Sequence, residues 1–343
     1  MEEFNEVTIL IDASRNRAYH KVNEELVLLY FNIGRIVSIK VVEGSWGDNT
    51  VNALAEHIEK KYAAPAGFNR RGLYRMKQFY ETYSSVSFVT PLVTQMNKEV
   101  KDVLEIISTL LSKISWTNHL LILSKTKTVE EKIFYIHSCI KDKLSKRELE
   151  RQLNSAVFER TILSNHNLST SATNLPQDLF KDPYIFEFLD LPDGHTEKDL
   201  EKALVLNLQK FILEIGKGFT YMGNQYRLQV GNKDYYTDLL FFHRDLHCLV
   251  LFELKIQEFE PEFLGKINFY LEALDRDVKR AIENASIGIL LCKGKDTEVV
   301  EYAMARNLSP SIIADYETKL IPKEILANKL HQLIGQLNTI DNE

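Results

Sequence analysis

From about Asn5 to Asn154, apolar positions recur at spacings of three and four with few alternating runs, the pattern of helices that each bury one face. VNEELVLLYFNIGRIVSI (22–39) predicts one strongly apolar helix. NTVNALAEHIEKKYAA (49–64) predicts a second, with Asn49 or Thr50 as its cap, and NRRGLYRMKQFYETY (69–83) a third, capped by Asn69. SSVSFVTPLVTQ interrupts the pattern at Pro91, so residues 84–112 read as a loop or short insertion. Helical periodicity resumes at WTNHLLIL and runs through VEEKIFYIHSCIKD and SKRELERQLNSAVFER. SNHNLSTSATNLPQD (164–178), rich in Ser, Thr and Asn, reads as a linker.

The second half changes period. EKDLEKALVLNLQKFILEIG (197–216) predicts an amphipathic helix ending at Gly216. Strands follow at QYRLQV (225–230), YYTDLLFFH (235–243) and HCLVLFELK (247–255). A helix at about 261–274, the strand SIGILLC (286–292), a helix at about 296–306 and the strand SIIADY (311–316) complete the order. Helix, three strands, helix, strand, helix, strand describes a mixed sheet flanked by helices. The expected class is therefore an α+β protein of two domains: an all-α N-terminal domain over residues 1–163, a linker over 164–180 and a mixed α/β domain over 181–343.

Composition narrows the class of protein. With 343 residues, 45% hydrophobic and 26% charged, the chain has ample apolar material for two packed cores. The acidic, mixed start MEEFNEVTILIDASRNR lacks the basic and apolar regions of a secretory signal, and no apolar run approaches the roughly 20 residues of a membrane helix. The expected location is the cytoplasm, with no membrane partner. Cys139, Cys248 and Cys292 are odd in number and widely spaced, which fits reduced thiols and offers no zinc pattern. The net charge of −6 conceals an asymmetry: residues 1–160 carry 23 Lys and Arg against 20 Asp and Glu, and the remainder 19 against 28. A basic surface for nucleic acid is to be sought in the N-terminal half.

The stretch LVLFELK (249–255) carries the candidate chemistry. It reads as a buried strand, yet it ends in Glu253 and Lys255, and buried charges cost several kcal/mol unless compensated. If this strand pairs with the preceding one about a turn centred on Asp245 and Leu246, Asp238 stands opposite Glu253. Directly opposed residues share a face, with Cβ atoms about 4.5–5.5 Å apart, and Lys255 lies on that face too. Two carboxylates that close repel unless a cation lies between them. Mg²⁺, or Mn²⁺ in its place, takes one or two carboxylates and keeps several waters, and such an ion serves phosphoryl chemistry. Glu-x-Lys alone is weak: it also occurs at Glu59/Lys61, Glu99/Lys101, Glu130/Lys132 and Glu317/Lys319, and a surface ion pair is its usual meaning. The apolar strand, the opposed Asp238 and the preceding helix set this instance apart.

That arrangement resembles the PDDEXK nuclease superfamily, and YYTDLLFFHRDLHCLVLFELKIQEFEPEFLGKINFYLEALD is similar to the core of the YhcG-like bacterial nucleases. The likeness extends to LEKALVLNLQKFILEIGKGFTYMGNQYRL, DPYIFEFLDL, LVLLYFNIGRIV, GFNRRGLYRM and WTNHLLIL, most of the chain. It implies a restriction-endonuclease-like fold for the C-terminal domain, Asp238 and Glu253 as metal ligands, Lys255 as the catalytic lysine and Glu201 as the acidic residue of the helix before the sheet. Glu201 lies on the row Glu201, Leu204, Leu208, Phe211, Ile215, which points at the sheet; a glutamate favoured by the first helical turn is the plainer account. Lys266 and Tyr270, one turn apart, match a Gln-x-x-x-Tyr arrangement of some relatives near DNA, with Lys in place of Gln. Gln225 matches an accessory Gln. Leu144-Ser145 departs from the relatives' Trp-Ser, a change of packing.

On the helix over 69–83, Leu73, Met76, Tyr80 and Tyr83 form the expected inward stripe, while Arg71, Arg75 and Gln78 face the other way. Following a helix and a Pro/Gly turn, this has the outline of a helix-turn-helix element whose Arg and Gln suit phosphates and base edges; a solvated basic face is the plainer account. The chain therefore reads as a Mg²⁺-dependent phosphodiesterase acting on DNA, with an N-terminal module that binds substrate, a protein partner or a second copy. The competing reading is a non-catalytic nucleic-acid-binding or assembly protein that keeps the nuclease fold. An unrelated hydrolase is disfavoured, because HxH, HExxH, Gly-x-Ser-x-Gly and GxxxxGK[ST] are all absent.

Overall fold

The computed structural model describes residues 2–62, 67–85, 88, 109–164, 175, 180–192 and 194–330. Most of the predicted linker and the break at Pro91 fall outside these residues. The chain divides into two compact units, Met1–Leu153 and Asn154–Glu343.

The first unit is helical. It contains α1 (Glu2–Val42), α2 (Asp48–Lys61), α3 (Arg70–Tyr83), α4 (Trp116–Lys125), α5 (Val129–Asp142) and α6 (Lys146–Asn154, whose last residue lies past the division). Helix α1 begins well before its expected start at Val22. Asn69 caps α3 as expected, its side chain accepting from the Gly72 N–H. The start of α2 differs from expectation: Gly47 occupies the cap and makes no side-chain bond, so neither Asn49 nor Thr50 serves. The inward stripe of α3 is Leu73, Met76, Phe79 and Tyr83. Phe79 replaces the expected Tyr80 because Phe79 stacks edge-on against Phe31, Trp116 and His119. Helices α1 and α3 approach closely at Gly34, where an added Cβ would stand 2.0 Å from the Met76 carbonyl oxygen.

The helix predicted through Arg160 breaks at Ala156, whose φ of 51° is left-handed. The next helix, α7 (Val157–Ser164), falls in the second unit. The reason is Arg160, fully buried, which donates to the Ser155 and Pro183 carbonyls and pairs with Glu214.

The second unit is a six-stranded sheet in the order β1-β6-β5-β4-β3-β2. Its strands are β1 (Tyr184–Ile185), β2 (Phe219–Val230), β3 (Lys233–His243), β4 (Cys248–Leu254), β5 (Ile287–Cys292) and β6 (Ser311–Glu317). β2, β3 and β4 are antiparallel; β4, β5, β6 and β1 run parallel, which makes the sheet mixed as predicted. The helix expected over 197–216 is divided at Asn207 into α8 (Glu197–Leu206) and α9 (Leu208–Ile215). These cover one face: Leu200, Leu204, Phe211 and Ile215 pack on Phe241, Phe252 and Leu254. α10 (Glu262–Ala273) and α11 (Thr297–Met304) cover the other, with Leu264, Ile267, Leu271, Val300 and Met304 on Leu240, Leu249, Leu251 and Leu290. With helices on both faces, β4 and β5 are buried at every position. No helix among the described residues is long and apolar enough to cross a membrane.

Candidate active site

Strands β3 and β4 pair in the register expected from the turn, with His243 opposite Cys248 and Leu239 opposite Phe252. The ladder stops there, and Asp238 and Glu253 are the next opposed positions. Instead of a backbone bond, the Asp238 carboxylate takes the Leu254 N–H at 2.8 Å. The sheet therefore opens where the two acids meet, on the side that carries α10. Lys255 follows β4 directly, anchored by its N–H to the Leu291 carbonyl at 2.8 Å.

Glu253 is completely buried. Its Oε1 accepts from Lys266 of α10 and lies 3.5 Å from the Lys255 ammonium. Its Oε2 is buried with no hydrogen-bond partner. Burial, then the neighbouring Asp238 charge, pushes the Glu253 carboxyl up to about 7, and the two lysines only partly offset this. Burial likewise raises Asp238, against the pull of the Leu254 N–H and both lysines. Burial alone would lower Lys266, but the Glu253 charge and hydrogen bond leave it raised. Its ammonium also sits 5.3 Å from the Tyr270 ring centre, which joins Tyr270 to the cluster.

A cleft of about 570 Å³ opens beside Asp238, lined by Glu197, Lys198, Glu201, Lys202, Asn224 and Gln225. Thr196 and Asp199 form a capping box that fixes the first turn of α8. That turn presents Glu197 and, one turn later, the buried Glu201. Asn224 donates to Glu201 Oε1 at 2.7 Å and Gln225 to Oε2 at 2.5 Å. Gln225 adopts a left-handed φ of 48°, an uncommon conformation for a residue with a side chain, just after a register shift in β2. The bend aims both amides at α8.

The structure thus gathers Asp238, Glu253, Lys255, Lys266 and Tyr270 around one point and lines the adjoining cleft with Glu201 and Gln225. Arg71 and Arg75 lie in the other unit, Arg71 exposed and Arg75 half-buried. Two participants escape a reading of the sequence. Glu197 accepts from the Lys255 ammonium at 3.0 Å; its sign is its place one turn before Glu201 on the same helix face. Asn224 offers no periodic signal, because the bulge that turns it is not encoded in the strand pattern.

The partnerless Glu253 oxygen beside a second carboxyl with a raised pKa has the donor chemistry of a hard-cation ligand set. Among the described residues no three His, Cys, Asp or Glu side chains converge as a metal cluster. Two carboxylates with the remaining positions left to water suit Mg²⁺ or Mn²⁺ and not a four-ligand zinc centre.

The mixed sheet between helices is that expected of a PDDEXK nuclease domain, and residues 177–331 match the family of the YhcG PDDEXK nuclease domain. Residues 6–160 match the DUF1016 N-terminal domain. Between them the two matches cover most of the chain. It is 29% identical over 344 residues to "Putative nuclease YhcG" of Escherichia coli (strain K12), covering 94% of this chain and 91% of that protein. No solved structure matches it.

Proposed function

We propose that this chain is a divalent-metal-dependent phosphodiesterase that cleaves DNA, with Asp238 and Glu253 as the ligands of Mg²⁺ or, in its place, Mn²⁺. The observation that carries the reading is the unpaired, buried Oε2 of Glu253 facing a second acid across an opened ladder. An ion held there would stabilise phosphoryl charge and acidify a bound water. Lys255 holds a cationic ammonium within 3.5 Å of Glu253, braced by Glu197 and by the Phe263 ring at 5.5 Å. From that place it offsets charge on the phosphate or orients the attacking water. Glu201, both oxygens occupied by amides, shapes the acidic wall of the cleft, while Lys198 and Lys202 supply cationic contacts for a nucleic-acid backbone. DNA is favoured as the substrate class that the resemblance of residues 177–331 to PDDEXK nucleases implies.

The N-terminal unit serves as the substrate- or partner-binding module in this reading. Arg71 and Arg75 of α3 are its candidate contacts, and Lys266, Tyr270 and Gln225 are those of the nuclease domain. The test is cleavage of a labelled panel of duplex, branched, single-stranded DNA and RNA substrates with and without Mg²⁺, comparing the parent with Asp238→Ala and Glu253→Ala. Metal-dependent cleavage lost in both variants supports the proposal. Binding without cleavage on every substrate overturns it in favour of a non-catalytic nucleic-acid-binding protein.

A further inference from the structure

We propose that Lys266 is a resident competitor for the cation site: its ammonium occupies Glu253 until a divalent ion takes that carboxylate, and it then swings outward to meet the phosphate. This rests on the reading of Asp238 and Glu253 as cation ligands. The two lysines at Glu253 are not equivalent. Lys255 has a side chain only 10% exposed, bonds to Glu197 at 3.0 Å and lies over the Phe263 ring. Lys266, at 41%, reaches in from α10 with its outer side open. It contacts Glu253 directly, whereas Lys255 stands 3.5 Å away.

Without an ion, two ammoniums balance two carboxylates, which keeps Asp238 and Glu253 from repelling each other. A divalent ion on Glu253 would stand within a few Å of both ammoniums, and like charges at that range repel strongly in a partly buried site. Lys255 is held by Glu197, so Lys266 is the group that yields. Four rotatable bonds carry its charge outward through the exposed side of the residue. Lys266 therefore weakens cation binding, stabilises the cation-free fold and becomes available to the substrate only when the site is loaded. Lys266→Gln removes the charge and retains a polar side chain.

The test is Mn²⁺ binding to the full chain by calorimetry, without nucleic acid, comparing the parent, Lys266→Gln and Asp238→Asn. Lys266→Gln is expected to bind Mn²⁺ about 10-fold more tightly than the parent, because it removes a like charge within a few Å of the ion, and Asp238→Asn to lose most of its affinity. In the parent, Mn²⁺ should also speed acetylation of Lys266 relative to Lys255, followed by mass spectrometry. This second measurement does not depend on the variant folding. Unchanged or weaker Mn²⁺ affinity in a folded Lys266→Gln, or acetylation of Lys266 that Mn²⁺ leaves unchanged or slows, overturns the proposal while the cation site stands. No Mn²⁺ binding by the parent overturns the reading beneath it.

Discussion

Two of the buried charge clusters in the second unit are built on opposite principles. At Arg160 every donor nitrogen is used. Nε bonds the Ser155 carbonyl at 2.7 Å, Nη2 the Ser155 hydroxyl at 3.0 Å, and Nη1 both the Pro183 carbonyl at 2.9 Å and Glu214. Glu214 Oε1 in turn accepts the Ile185 N–H at 2.9 Å. The network ties α7 to α9 and to the short edge strand β1. At Glu253 one carboxylate oxygen is crowded by two ammoniums and the other has no partner, beside an acid whose own ionisation is disfavoured. A satisfied buried pair belongs to the fold, whereas an unsatisfied one within an otherwise apolar strand is poised for a ligand.

Opposite responses to mutation would sharpen this contrast most. Glu253→Gln is expected to lower cleavage by ~10³-fold or more, since the cation contributes several kcal/mol of charge stabilisation. The same change should leave the cation-free fold as stable as the parent, or more so, near pH 8, because it removes a buried carboxylate that resists ionisation. Arg160→Ala should do the reverse: a loss of about 3–5 kcal/mol in denaturant unfolding, from leaving Glu214 buried and unpaired, with cleavage per folded molecule retained. Equal loss of stability in both variants would erase the distinction.

Titration separates the clusters next. Glu253 in the fold takes its proton near 7, against about 4.5 when unfolded. Across that window the folded chain binds a proton that the unfolded chain has released, so stability falls as pH rises from about 4.5 to 7. The loss for Glu253 alone is on the order of 3 kcal/mol, and Asp238 acts in the same direction. Urea unfolding of the metal-free protein across this range should show the decline, and Glu253→Gln should flatten much of it. Added Mg²⁺ should restore stability at the upper end, where both carboxyls are ionised. A profile that rises over the window would contradict the burial of these acids.

Much of this contrast is legible in the chain itself, though unevenly. The β3–β4 register follows from a short turn and a strict period of two, so the opposition of Asp238 and Glu253 is readable, and the flanking apolar positions mark the strand as buried. The Glu201 row survives even the helix break at Asn207, because Leu204, Phe211 and Ile215 still pack on the sheet. Arg160 is another matter. Its partners Pro183 and Glu214 are remote in sequence and mark no period, so α7 reads as a continuation of the helical half. β1, with two residues, is too short for any pattern. Asn224 and the bend at Gln225 depend on a bulge that the strand pattern does not mark, whereas Glu197 is legible one turn before Glu201.

The smallest expected effect concerns the cleft wall, where the exposed Lys198 and Lys202 stand one helical turn apart. Their ammoniums suit a strand of phosphates approaching Asp238, and phosphate contacts add affinity without setting chemistry. Lys198→Gln with Lys202→Gln should therefore weaken DNA binding at low salt and reduce the slope of log affinity against log salt by roughly 1 to 2, each contact releasing about one counterion. Single-turnover cleavage at saturating DNA should stay near the parental rate. Fluorescence anisotropy across a salt series measures the first quantity and a quenched-flow assay the second. An unaltered slope would route the strand away from α8, and a lowered saturating rate would move these lysines from the rim into the reacting centre.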